Sequence, residues 1–185
     1  MSHAVLGQDN GLGDSLIRSK VVNLALLNTG VCEVPVNRGK VIDKYRSVAL
    51  DRKISGYTDP WCAYFIGYIY KSYGIDTKKV LGNGYIARAA DWFKNKNRIV
   101  YQKGIGYQRK RKPKAGDVVG YKFTSGRISH VGILIEWNEL DGYALVVEGN
   151  TTPRNSVTRD ENKNDCVRLK KRPISMIYVV SNIIE

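Results

Sequence analysis

Of the three cysteines and two histidines in this 185-residue chain, one pairing has the makings of nucleophilic chemistry. Cys62 lies in the run Asp59-Pro60-Trp61-Cys62-Ala63-Tyr64-Phe65. Asp59 is a natural helix N-cap and Pro60 a natural first helical residue. Cys62 then falls in the opening turn, where unpaired backbone N–H groups and the helix dipole favour a thiolate, the nucleophilic form of cysteine. A cysteine nucleophile needs a base. His3 stands in an N-terminus that reads as disordered, which leaves His130.

Ile128-Ser129-His130-Val131-Gly132-Ile133-Leu134-Ile135 is apolar and β-branched and reads as a strand, and Tyr143 to Asn150 reads as the returning strand. A hairpin loop centred on residue 139 or 140 sets His130 opposite Glu148 or Asn150. All three have the same parity and so share one face of the sheet. Directly opposed residues lie about 5 Å apart at Cβ, within reach of a hydrogen bond from the imidazole. Nucleophile, base and a group that orients the base make up the logic of thiol catalysis. Taken alone, Cys62 is equally a buried core thiol; its coincidence with His130 argues for chemistry.

The elements that must carry these residues are legible from periodicity and punctuation. Helices are expected over 14–28, 38–50, 60–73 and 85–94. Strands are expected over 98–101, 117–123, 128–136, 143–148, 166–170 and 175–181. Phe65, Ile66 and Ile69 share the Cys62 side of its helix and read as core that anchors it. The length fits one domain over residues 1–185 with an ample core, and neither repeats nor linkers divide it. No apolar run approaches the roughly 20 residues of a membrane span. No basic, apolar leader is visible at the N-terminus. Cys32 and Cys166 therefore read as reduced thiols, although a bridge between them stays open because spacing does not decide it.

Four segments in order resemble the CHAP domain family of cysteine- and histidine-dependent amidohydrolases and peptidases. They are Pro60-Trp61-Cys62-Ala63-Tyr64-Phe65, Lys114-Ala115-Gly116-Asp117-Val118-Val119, His130-Val131-Gly132-Ile133 and Val147-Glu148-Gly149-Asn150-Thr151. Residues 30–39 also resemble the lead-in of phage-type members. The resemblance implies a papain-like α+β fold, with helices packed on a five- to six-stranded antiparallel sheet. It implies Cys62 as nucleophile, His130 as base, Glu148 as the residue orienting the imidazole and Asn150 as a supporting polar group. Peptidoglycan is the implied substrate, cut at an amide of the wall peptide by an endopeptidase or N-acetylmuramoyl-L-alanine amidase. A phage lysin or a secreted antibacterial effector would both fit, the latter with an inhibitor or immunity partner. Such a protein is made in the bacterial cytoplasm without a visible signal peptide and acts in the wall or periplasm after release.

Other parts of the site are less defined. The Cys62 N–H is a candidate oxyanion donor, with a second donor expected from Tyr57, Thr58 or Trp61. Tyr57 and Trp61 are the candidate substrate contacts, Trp61 either lining the cleft or packing at the helix entry. No cofactor is implied, and one usable histidine offers no metal-ligand cluster. Asp59 and Asp117 read as a cap and a turn residue.

The net charge of +13 concentrates in Lys103–Lys114 and again in Arg168-Leu169-Lys170-Lys171-Arg172. The first stretch, with Gly104, Gly106 and Pro113, reads as a mobile loop. It would attract anionic wall polymers or a membrane surface, more weakly as salt screens it. The charge and twelve tyrosines also suit a nucleic-acid binder, a reading that leaves Cys62, His130 and Glu148 unexplained, so no specific nucleic acid is expected. A papain-like acyltransferase or thiol hydrolase with a non-wall substrate would keep the same residues.

Overall fold

A computed structural model describes residues 9–123, 126–157 and 164–185; His3 lies outside them. Helix α1 (Asp9–Leu27), α2 (Lys40–Leu50), α3 (Cys62–Lys71) and α4 (Thr77–Leu81) precede most of the sheet. The strands are β1 (Ile99–Gln102), β2 (Gly106–Tyr107), β3 (Val118–Tyr121), β4 (His130–Asn138), β5 (Tyr143–Thr151), β6 (Cys166–Pro173) and β7 (Val179–Ser181). They form one antiparallel sheet in the order β2-β1-β7-β3-β4-β5-β6. The fold is α+β as expected.

Helix α3 is apolar on all sides, and such a helix must be enclosed. Every residue from Cys62 to Tyr70 is buried. The helix packs against β4 and β5 on one side and α2 on another. Gly149 allows that approach: a Cβ there would stand 2.8 Å from the Trp61 ring and 2.9 Å from Phe65 Cβ.

Three expectations need correction. The sheet has seven strands rather than five or six, because Gly106–Tyr107 pairs with β1 inside the stretch read as a loop. The Tyr107 ring packs on Tyr101, and its hydroxyl accepts from the Trp137 indole at 3.1 Å. The helix expected over 85–94 is only a 3-10 turn, Ala89–Phe93, since the Asp91 carboxylate accepts the Tyr85 N–H at 2.7 Å and folds that segment on itself. A short α4, capped by Asp76, lies upstream instead. Lastly, Cys32 and Cys166, 134 residues apart, form a disulfide, brought together as an isolated antiparallel bridge. Cys62 is left as the free thiol.

Arg18 of α1 ties the two ends of the chain together. It donates to Asp117 at 2.8 Å, Asn182 at 2.9 Å and Glu185 at 3.1 Å. Burial, partly offset by Arg18, pushes the Asp117 carboxyl up to about 6. No helix among the described residues is long and apolar enough to cross a membrane.

Candidate active site

Cys62 is the first residue of α3. The helix starts two residues later than the Asp59-Pro60 pair suggests, because Asp59 is engaged elsewhere. Its carboxylate accepts from the Tyr64 hydroxyl at 2.8 Å and lies 3.5 Å from Arg46 Nε. Buried Arg46 also donates to the Asp59 carbonyl. The entry to α3 is capped from a distant strand: Asn150 Oδ1 accepts the Trp61 N–H at 2.9 Å. The Trp61 indole, fully buried, donates to Glu33 at 2.9 Å. Trp61 thus packs the helix entry rather than touching substrate, and its N–H is not available to an oxyanion. The Cys62 N–H remains the candidate donor.

His130 is the first residue of β4, paired with Tyr121, and its ring lies 5.8 Å from that of Tyr121 and 5.9 Å from Phe123. Its Nε2 meets Glu148 Oε2 at 3.0 Å. With Nε2 so engaged, Nδ1 is the nitrogen left to interact with Cys62, which helps raise the imidazole. Glu148 reaches the imidazole because Gly132 leaves the space free. A Cβ at Gly132 would stand 2.8 Å from Glu148 Cγ and 2.5 Å from a Val146 methyl.

Asn150 shares parity with Glu148 but not its direction. The β5–β6 register shifts between Glu148 and Thr151, and Asn150 has φ +56°. That left-handed residue turns its amide away from the imidazole toward α3, Asn37 and Asp165. It caps the entry to α3 instead of meeting His130.

The group that residue spacing did not reveal is Arg172. Its Nε donates to Glu148 Oε1 at 2.8 Å and its Nη2 to Oε2 at 2.6 Å, a bidentate clamp on a carboxylate with no solvent exposure. The signal was present: Arg168, Lys170 and Arg172 alternate along a strand, and all three are buried.

The charges follow from these contacts. Burial would raise Glu148, but Arg172 and His130 outweigh it and hold its carboxyl near 2. Burial would lower His130, yet its hydrogen bonds and charge interactions with Cys62 and Glu148 lift it to about 10. A neutral imidazole held in this way can take the thiol proton, and the imidazolium so formed, backed by a carboxylate that stays ionised at neutral pH, can give it back.

Two hollows flank the pair. One, of about 350 Å³, is lined by Cys62, Pro60, Ala87, Ala89, Ala90 and Ser129 among others. The other, of about 260 Å³, adjoins His130 and Arg172. Tyr57 is 40% exposed, its hydroxyl 3.5 Å from Arg52, and lies in neither. Among the described residues no group of three or more His, Cys, Asp or Glu is placed to hold a metal ion.

The site thus sets a helix-borne thiol against a histidine on an antiparallel sheet. Residues 54–150 match the CHAP domain family, and the chain belongs to that family. Membership makes it a hydrolase of the amidase or peptidase kind, with peptidoglycan as the substrate class. No curated protein and no solved structure gives a significant match.

Proposed function

We propose that this chain is a cysteine-dependent peptidoglycan hydrolase that cuts an amide bond in the wall peptide. His130 takes the Cys62 proton, and Glu148, held by Arg172, fixes the imidazole. The thiolate attacks the amide carbon and forms a C–S bond. The C–N bond then breaks as the imidazolium gives its proton to the departing amine. Water, deprotonated by His130, releases the acyl product and restores the thiol. The observation that carries this reading is the hydrogen-bonded series His130, Glu148, Arg172 with Cys62 close enough to raise the imidazole, within the segment matched to the family and completed by one residue beyond it. We assign the enzyme to a phage lysin or secreted effector role, reaching the wall after release from the cytoplasm.

The test is mass spectrometry of purified peptidoglycan digested by wild type and by Cys62→Ala. Soluble fragments released by wild type alone are expected, and their new termini name the bond. Fragments released equally by Cys62→Ala would overturn the mechanism. No fragments from wild type, with its thiol still alkylated readily, would favour a non-wall substrate.

A further inference from the structure

The hollow beside His130 has a chemistry the mechanism does not use. Its volume is about 260 Å³ and its lining includes Phe123, His130, Thr152, Arg154, Asn155 and Arg172. This is smaller than the roughly 300–1,000 Å³ of sites for drug-sized ligands and suits a single residue. Cys62 does not line it. In the acyl-transfer step the carbon bonds to Sγ while the nitrogen stays beside the imidazole that protonates it. A hollow lined by the base but not by the nucleophile therefore receives the leaving side of the substrate.

Its wall is cationic and built. Arg172 is matched by Glu148. Arg154 has no ion pair or side-chain hydrogen bond among the described residues. The buried Lys170 ammonium donates to the carbonyls of Thr152 and Arg154, fixing that turn to β6. The Ser156 N–H closes the turn onto the Pro153 carbonyl at 3.0 Å. Burial is the main reason the Lys170 ammonium is lowered to about 8, with repulsion from Arg172 adding to it. Arg154 thus brings the hollow an unmatched guanidinium, whose fork fits the two oxygens of a carboxylate.

We propose that this hollow is a leaving-group subsite in which Arg154 binds a free carboxylate on the residue whose amine departs. The proposal rests on the wall-hydrolase reading and deepens it: the preferred bond is one whose amine-side residue is acidic or carries a chain end.

The experiment uses paired wall peptides that differ only in a free carboxylate or a carboxamide on the amine-side residue. Wild type is expected to favour the free acid by at least about tenfold in kcat/KM, chiefly through KM. Arg154→Gln loses that preference, while Lys20→Gln, which removes a charge from the exposed surface of α1, keeps it. Equal cleavage of the pair by wild type, or a preference that survives Arg154→Gln, overturns the subsite. Cleavage of neither peptide brings down the wall reading, and alkylation of Cys62 then decides the subsite. A rate ratio of iodoacetate to iodoacetamide that falls in Arg154→Gln upholds it; an unchanged ratio overturns it.

Discussion

The basic stretch Lys103–Lys114 runs along the outside of the sheet's β1–β2 edge, whereas Arg168–Arg172 runs through its opposite edge strand, β6, with alternate side chains turned inward. In the first, Lys112 meets Glu139 at 3.0 Å with both groups in solvent, and Arg109 and Arg111 donate to the Asn97 carbonyl. In the second, Arg168, Lys170 and Arg172 are buried while Lys171 is exposed over the Tyr143 ring. The stretches have similar composition and opposite consequences. Solvated cations need no partner, but cations turned inward by strand alternation must find carboxylates or carbonyls. One stretch decorates a surface; the other holds the carboxylate that meets His130.

The comparison is broken most severely at Arg172. Arg172→Met leaves Glu148 buried without its main partner, and breaking such a pair costs about 3–5 kcal/mol, read as a lower denaturant midpoint. Turnover is expected to fall roughly 100-fold or more even where the protein is folded. A variant with normal turnover would return Arg172 to the status of a charged patch.

Glu148→Gln probes the same clamp through pH. His130, raised from 6.5 to about 10, keeps its proton until pH rises through that value, so activity that needs the imidazolium is lost on that alkaline side. Gln removes its carboxylate partner and leaves the Arg172 charge uncompensated. The alkaline limb of kcat/KM should move down toward the ordinary histidine range; an unmoved limb would show that Glu148 does not act on His130. In wild type, Glu148 lowered to about 2 contributes stability that is present above the normal carboxylate range and disappears as pH falls toward 2.

The smallest effect belongs to the outer stretch. Lys110→Gln combined with Lys112→Gln should leave the unfolding midpoint unchanged, because exposed pairs contribute little. Adsorption to purified walls at low salt should weaken, and its dependence on salt should flatten. A large fall in midpoint would erase the contrast between the two stretches.

Much of the site was legible before any coordinates. The forced choice of His130, the parity it shares with Glu148 and the position of Cys62 near a helix start all follow from residue types and periods. Asn150 was not, since its direction depends on a register shift at Gly149–Asn150 that parity ignores. Asp59 was misread because Tyr64 and buried Arg46 compete for the carboxylate that would cap α3. The disulfide was beyond reach because 134 residues separate its ends. Arg172 was hidden by its neighbours: a run of basic residues suggests solvent until strand alternation separates its two faces.

Strand β7 lies between β1 and β3 although it is the last strand in sequence, and Arg172 precedes it by only a few residues. A chain emerging from the ribosome with residues 54–150 complete still lacks the strand that joins the two halves of its sheet and the guanidinium that clamps Glu148. Assembly therefore waits on pairings of long sequence separation, which form slowly. A ribosome that has delivered only the segment matched to the family has therefore not yet delivered a closed sheet or a clamped Glu148.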